Sequence, residues 1–299
     1  MGGCTEGQVV NAKTKGELRL KGVKTTNPVA VGDRVIIEMP EDQGIGMIKD
    51  ILPRQNHIIR KSTNLSKVSH IIAANIDLAL LVVTIREPRI ATGFIDRFLI
   101  NAEAYHIEAA IVFNKIDIYE PKDIERLSEL VNIYEGAGYK TYKVSALTQE
   151  NIPELKQAIK GKTNLFSGIS GVGKSALVNS IEPGLKLKTG VISSYHKKGK
   201  HTTTYPEMHP LSFGGYIIDT PGIREFGLVE FQKHEIAERF PEFRRYQHEC
   251  HFNNCTHVHE PECAVKEALE MGKIATSRYE NYLRIMNDDY LDKELWEWE

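Results

Sequence analysis

Residues 168–175 of this chain read Gly168-Ile169-Ser170-Gly171-Val172-Gly173-Lys174-Ser175. They fit the pattern G-x-x-x-x-G-K-[ST], follow a strand-like stretch at 163–166 and lead, from Ala176, into a helical pattern that ends at 181. In this setting backbone N–H groups surround phosphate oxygens, Lys174 reaches the β- and γ-phosphates, and the Ser175 hydroxyl ligates Mg²⁺. The alternative is a chance glycine-rich turn, but the strand before it and the helix after it favour a phosphate-binding loop.

Two other stretches predict which base the nucleotide carries. The tetrapeptide Asn114-Lys115-Ile116-Asp117 follows a predicted strand at 109–113, and Ser145-Ala146-Leu147 follows another at 141–144. The Asp117 carboxylate can accept hydrogen bonds from guanine N1–H and from its exocyclic amine, a donor pair that adenine lacks. Backbone N–H groups of 145–147 can bind guanine O6. Because Asn and Asp are common after strands, the tetrapeptide alone is a weak signal. Together with 145–147 and the phosphate loop it becomes specific.

A fourth motif, Asp219-Thr220-Pro221-Gly222, follows an apolar strand at 216–218. Asp219 is expected to hold Mg²⁺, directly or through water, and the Gly222 amide to sense the γ-phosphate. A simple turn is the alternative interpretation. The base-reading motifs precede the phosphate loop in the chain, which reverses the usual order in GTPases. All four motifs can still share the carboxyl edge of one sheet, so the order indicates a circularly permuted GTPase domain.

The surrounding chain divides into three zones. Short strand-like stretches near 7–13, 17–21, 31–39 and 46–52 predict a small β-barrel up to residue 66. Alternating strands and helices over 67–228 predict a mostly parallel, doubly wound sheet. Residues 229–299 have few strand signals and two helical patterns, near 264–271 and 277–286.

Composition limits the class of protein. The 299 residues are 41 % hydrophobic and 26 % charged, which excludes a disordered, collagen-like or coiled-coil chain. No apolar stretch approaches the roughly 20 residues of a membrane span, and the first residues contain no apolar signal region, so we expect a cytoplasmic protein. The net charge of −2 hides local excesses, since residues 1–70 have eleven Lys and Arg against seven acids, and 186–201 have five Lys and no acid. Such regions can bind nucleic acid, although similar clusters are often only solvated surface.

Three of the four cysteines lie close together in the last zone. Cys250, Cys255 and Cys263, with a histidine, form the Cys₃His set of a tetrahedral structural zinc site; Cys4 lies far away in sequence. The histidine can be His257 or one of its neighbours His248, His251 and His259. Four protein ligands leave no position for a substrate water. The alternative is three cysteines that bind nothing.

These motifs, with the segment Gly199-Lys200-His201-Thr202-Thr203-Thr204, resemble those of the circularly permuted, ribosome-small-subunit-dependent GTPases of bacteria, over nearly the whole chain. The resemblance implies an N-terminal OB-fold at 1–66, a permuted GTPase domain at 67–228 and a zinc domain at 229–299, with His257 as the fourth ligand of one zinc per chain. The family usually begins with a longer first hairpin. Here only six residues precede the strand-like 7–13, so the comparison predicts that the opening strand is missing.

The resemblance also assigns the hydrolytic residues. Ile223 follows 219–222, where many GTPases have a glutamine that orients water, and its side chain cannot hydrogen-bond. By the family pattern His201 positions the water and Thr203 completes the coordination of Mg²⁺. Judged without the family, a lone loop histidine is more often solvated surface.

The resemblance implies a GTPase that binds GTP, Mg²⁺ and the 30S ribosomal subunit through 16S rRNA. It implies a monomer that assists late maturation or quality control, with hydrolysis stimulated by the subunit. Because 219–222 leads directly into the zinc domain, nucleotide state is expected to move that domain. Two alternatives are a P-loop kinase, which leaves 114–117 without a role, and a passive RNA-binding protein with a nucleotide-sensing site.

Overall fold

The computed structural model describes residues 2–5, 8–14, 28–40, 44–60, 70–187, 207–219 and 233–287. Its N-terminal part is a four-stranded sheet of β1 (Gly2–Thr5), β2 (Gln8–Thr14), β3 (Val35–Glu38) and β4 (Gly46–Ile51) in the order β1-β2-β4-β3. β2 is parallel to β4, and the other two pairings are antiparallel. Among the described residues no pairing closes this sheet into a barrel. The predicted strand at 17–21 lies outside them.

A short strand precedes the strand-like stretch predicted at 7–13. Gly2–Thr5 forms β1 and pairs with β2 from Gly2 opposite Asn11 to Thr5 opposite Gln8. Two adjacent glycines have low strand propensity, so this strand leaves little signal in the sequence. Backbone hydrogen bonds to β2 form this strand although its sequence does not favour one.

A second hairpin, β5 (His57–Arg60) and β6 (His70–Ala74), was not predicted. Ile58 and Ala73 are fully buried in the same apolar cluster as one face of the central sheet. The predicted boundary at residue 66 therefore falls between two paired strands that pack on the second zone.

The central sheet has the strand order β11-β12-β10-β7-β8-β9. Its strands are β7 (Leu78–Val83), β8 (Glu108–Phe113), β9 (Lys140–Lys143), β10 (Thr163–Ser167), β11 (Glu207–Pro210) and β12 (Tyr216–Asp219). Only the edge strand β11 is antiparallel to its neighbour. The predicted doubly wound, mostly parallel sheet is confirmed.

Four helices cover the two faces of this sheet: α1 (Thr92–Ala104), α2 (Pro121–Ala137), α3 (Ile152–Ile159) and α4 (Lys174–Ile181). All six residues of β7 are buried, and they alternate between the faces. Ala79, Leu81 and Val83 belong to the cluster with α1 and α2, whereas Leu78, Leu80 and Val82 belong to the cluster with α3 and α4. A continuous apolar run is what a strand buried on both sides requires.

The C-terminal part is helical, with α5 (Lys233–Ile236), α6 (Pro241–Arg244), α7 (Ala264–Glu270) and α8 (Thr276–Met286). Its apolar cluster includes Ile100 of α1, so it packs on the outside of the central domain. No helix among the described residues is long and apolar enough to cross a membrane.

Buried charges reinforce this contact. The Arg278 guanidinium on α8 donates to Asp96 of α1 at 2.7 Å and to both oxygens of Glu242 on α6 at 2.6 and 3.1 Å. Asn281 and Tyr134 donate to the two oxygens of Asp96 at 2.6 and 3.0 Å. Arg278, Asp96 and Glu242 are at most 2 % exposed, so the pairing compensates charges that water does not reach.

Candidate nucleotide and metal sites

The predicted phosphate loop joins β10 to α4, at the carboxyl edge of the sheet. Gly168 has φ +144°, and a Cβ on it would lie 2.3 Å from the Val82 carbonyl oxygen. Gly173 has φ +88°, and a Cβ there would lie 2.6 Å from the side-chain nitrogen of Asn114. Only glycine fits at these two positions, which lets the loop pack against β7 and the end of β8.

Lys174 begins α4 and folds back over this loop. Its ammonium donates to the carbonyl oxygens of Gly168 at 2.6 Å and Ile169 at 2.8 Å. Ser175 is the next residue of the same first helical turn. The loop therefore combines a cation with the N–H groups of a helix start, the two features that bind phosphate.

Asn114 connects the phosphate loop to the predicted base-reading segments. Its side chain is buried, donates to the Val172 carbonyl at 2.8 Å and accepts from the Ala146 N–H at 3.2 Å. One amide thus fastens 168–175 to 145–147. In this structure the Asn114 side chain therefore links two loops rather than facing an open site.

Asp117 lies in a short 3₁₀ helix, Ile116–Ile118, and is exposed to solvent. The buried Ser145 hydroxyl donates to one of its carboxylate oxygens and accepts from the Thr148 N–H at 3.0 Å. The carboxylate is therefore held from one side and open to solvent, as a group that receives a base must be. Leu147, beside this pair, is 82 % exposed.

Tyr119 holds the same region and was missed by the sequence analysis. Its hydroxyl donates to the Asn114 carbonyl at 2.8 Å and accepts from the Ile85 N–H at 2.9 Å. Burial raises the pKa of this phenol to about 12, so it keeps its proton at neutral pH. A tyrosine two residues after Asp117 matches no motif, because its partners are backbone groups.

The fourth motif is placed by strand register. β12 runs parallel to β10 with Asp219 opposite Phe166, so its carboxyl end reaches the same edge as 168–175. The Asp219 side chain, Gly222 and the segment with His201 and Thr203 lie outside the described residues. For these residues the predicted roles stay predictions.

The second candidate site is a group of four side chains, Cys250, Cys255, His257 and Cys263, whose ligand atoms all lie within 4.8 Å of one another. His257 Nδ1 is 3.6 Å from Cys250 Sγ and 3.4 Å from Cys263 Sγ, and the latter two sulfurs are 4.0 Å apart. A tetrahedral ion with bonds of about 2.0–2.3 Å separates its ligand atoms by roughly 3.5–3.8 Å. The spacing therefore fits a metal ion, and His257 is the histidine that joins the cysteines.

Burial sets the protonation of these ligands. It lowers the pKa of His257, which favours the neutral imidazole that binds metals, and raises the pKa of Cys255 to about 12. Burial also raises the pKa of Cys263. Metal binding must therefore displace protons from these two thiols.

A shell of hydrogen bonds shapes the loop around the four ligands. His257 has φ +60°, and its carbonyl accepts from the Tyr279 hydroxyl at 2.6 Å. Glu260 accepts from the Thr256 N–H and hydroxyl and from the Val258 N–H. Burial opposes ionisation of Glu260, but these hydrogen bonds outweigh it and lower its pKa to about 2.

Comparison with known proteins gives concordant matches. The family model described as RsgA GTPase matches residues 51–229. A protein of Bacteroides fragilis named small ribosomal subunit biogenesis GTPase RsgA is 50 % identical over 283 residues, 95 % of this chain and 91 % of that protein. A protein of the same name from Flavobacterium johnsoniae is 51 % identical over 286 residues, 95 % of this chain and 88 % of its own.

Solved structures agree with the fold. The crystal structure of YjeQ from Thermotoga maritima superposes with a TM-score of 0.78 at 38 % identity, covering 96 % of this chain and 92 % of that one. YloQ, described as a circularly permuted GTPase, superposes with a TM-score of 0.73 at 28 % identity, covering 96 % and 88 %.

Proposed function

This chain belongs to the RsgA GTPase family, and we propose that it binds the small (30S) ribosomal subunit and assists a late step of its maturation or quality control. As a member of this family it hydrolyses GTP. The observation that carries the assignment is the meeting of the phosphate loop and the base-reading segments, which Asn114 joins at one sheet edge. A P-loop kinase gives that junction no role.

The proposal assigns the base and phosphates to separate groups. Asp117, supported by Ser145, reads the donors of guanine, and backbone N–H groups of 145–147 bind O6. Lys174 moves from the loop carbonyls to the β- and γ-phosphates when nucleotide enters. Gly222 senses the γ-phosphate.

Mg²⁺ accompanies GTP in this proposal, with Ser175, Thr203 and Asp219 as its candidate protein contacts. Held by these residues together with GTP, the ion would neutralise charge that develops in phosphoryl transfer. His201 orients the attacking water, because Ile223 offers no hydrogen bond where other GTPases use glutamine.

We assign the Cys₃His group to one structural zinc ion per chain. The distances between its ligand atoms support this, since four protein ligands complete a tetrahedron and leave no position for substrate. For the N-terminal sheet we propose an OB-fold that contacts 16S rRNA. The divisions at 1–66, 67–228 and 229–299, the monomeric state and the cytoplasmic location belong to the same proposal.

The deciding experiment measures GTP hydrolysis by the purified chain with and without 30S subunits. We expect strong stimulation by the subunits and tight binding of GDP, with poor binding of ADP. Asp117→Asn should shift preference towards xanthine nucleotides, and His201→Ala should lower kcat more than GTP affinity. Equal turnover with and without subunits would contradict the ribosomal role, and unchanged guanine selectivity in Asp117→Asn would remove Asp117 from base recognition.

A further inference from the structure

The Tyr119 hydroxyl joins two backbone segments of the nucleotide edge. It accepts from Ile85 N–H, at the start of the turn that follows β7, and donates to the carbonyl of Asn114, at the start of 114–117. The ring packs against the apolar cluster of the central sheet. Through its hydroxyl, a tyrosine whose ring is packed on the core therefore holds the backbone at the start of the base-reading segment 114–117.

The turn at 84–88 is itself ordered and lies beside the phosphate loop. The Thr84 hydroxyl donates to the Pro88 carbonyl at 2.5 Å, and Lys115 donates to the Glu87 carbonyl at 2.6 Å. A Cβ on Gly171 would be in contact with the Pro88 ring at 3.5 Å. Tyr119 thus joins a turn that borders 168–175 to the segment that carries Asp117.

We infer that Tyr119 is a positioning residue for guanine recognition: its hydroxyl fixes the backbone of Asn114 and thereby the place of the Asp117 carboxylate. This inference rests on the proposed function of Asp117. Asn114 is held at its carbonyl by Tyr119 and at its side chain by Val172 and Ala146. Loss of the first contact releases the Asn114 carbonyl, while the Asn114 N–H still donates to the Val83 carbonyl at 2.9 Å and its side chain keeps both of its contacts.

The expected consequence is specific to the base. Two hydrogen bonds that a carboxylate accepts from guanine demand a fixed distance and direction. Phosphate binding depends instead on 168–175, and the partners of the Tyr119 hydroxyl, Ile85 and Asn114, lie outside that loop. Loosening 114–117 therefore weakens the discrimination that Asp117 provides, and it leaves the chemical step unchanged.

The test is Tyr119→Phe in the full chain, which removes the hydroxyl and keeps the ring. GDP, IDP and ADP binding are measured by calorimetry, together with kcat and KM for GTP. Hypoxanthine lacks the exocyclic amine, so the ratio of GDP to IDP affinity reports on the second hydrogen bond to Asp117. We expect GDP affinity to fall roughly 3- to 10-fold, a GDP-to-IDP ratio closer to one, and kcat within about twofold of the parent.

Tyr139→Phe is the matched control. Tyr139 is a buried tyrosine in the same apolar cluster, and its hydroxyl makes a long 3.4 Å contact to Glu103, away from the nucleotide edge. It should leave the GDP-to-IDP ratio unchanged, whatever it does to the melting temperature.

The outcomes separate this inference from the function on which it rests. A parent chain that does not prefer GDP to IDP and ADP would overturn the guanine assignment itself. A parent that prefers guanine, with Tyr119→Phe showing the same GDP-to-IDP ratio, would overturn only the role of Tyr119, even if the variant melts at a lower temperature. A reduced ratio in Tyr119→Phe but not in Tyr139→Phe supports it.

Discussion

The nucleotide edge and the Cys₃His loop are both built from turns, but they are held in different ways. The segments at 114–117, 145–147 and 168–175 follow strands of a large two-sided core and are tied by hydrogen bonds, such as those of Asn114. Residues 251–262, between the outer cysteines, contain no helix or strand. This comparison teaches that the first site is ordered by the sheet beneath it, whereas the second lacks such a sheet and would depend on the zinc ion proposed for its side chains.

Arg278 connects the central domain to the helical C-terminal part that carries the Cys₃His loop. Its pairing with Asp96 reaches α1 of the central domain, while Glu242 belongs to the helical part that contains the metal loop. The contact is buried and charged, so the loss of one partner would leave an uncompensated charge away from water. A movement of the C-terminal domain with nucleotide state, as expected from the sequence, must therefore either keep this contact or supply the free energy that breaks it.

Removal of the metal should have the largest effect. A structural zinc site supplies apparent binding free energies of about 10–16 kcal/mol in small zinc peptides, more than the hydrogen bonds around this loop contribute at about 1 kcal/mol each. We expect chelation, or Cys263→Ser, to raise hydrogen exchange throughout 250–287 while GDP still binds. Cys4→Ser is the control, as the cysteine most distant in sequence. Unchanged hydrogen exchange over 250–287 in protein shown to be metal-free would mean that this loop does not depend on a metal ion.

The next largest effect is expected for Arg278→Met. It leaves Asp96 and Glu242 buried without their cation, which should lower the free energy of unfolding by about 3–5 kcal/mol. Arg244→Met is the matched control, because Arg244 pairs with Glu103 of α1 at 2.8 Å in a solvent-exposed setting, where a pair contributes about 0–1 kcal/mol. Urea unfolding of both variants measures the difference, and equal losses would mean that burial does not decide the strength of this contact.

The pH dependence of metal affinity distinguishes the sites further. Burial raises the pKa of Cys255 and Cys263, so both thiols are protonated in the metal-free protein at neutral pH, and burial keeps His257 neutral. Zinc binding must then release at least two protons, and affinity should fall about 100-fold or more for each pH unit of acidification near neutrality. Calorimetry in buffers of different ionisation enthalpy counts the protons; release of fewer than two would show thiolates already present.

The smallest effect is expected for Ser145→Ala at the nucleotide edge. It removes the hydroxyl that supports Asp117 and accepts from Thr148, and we expect GDP affinity to fall roughly 3- to 10-fold without loss of fold. Ser128→Ala on α2 is the control, since that hydroxyl only donates to the Ile124 carbonyl of its own helix. If both variants bind GDP like the parent, Ser145 does not support the base-reading carboxylate.

Local patterns predicted the central domain well. The strands predicted at 109–113, 141–144 and 163–166 are present as Glu108–Phe113, Lys140–Lys143 and Thr163–Ser167. The first strand and the hairpin of β5 and β6 were missed. Glycines weaken the signal of Gly2–Thr5, and the hairpin is short, with register set by packing on the central core.

For the sites, residue identities and spacing were enough to name Asp117, Lys174 and the three clustered cysteines, because phosphate loops and metal loops are contiguous in sequence. Only the tertiary structure decided that Asn114 ties two loops together and that Tyr119 holds its carbonyl. It also decided that Arg278 meets Asp96 across 182 residues of chain. Such contacts join groups far apart in sequence, or use backbone atoms that every residue carries, so no local pattern encodes them until packing brings the partners within hydrogen-bond distance.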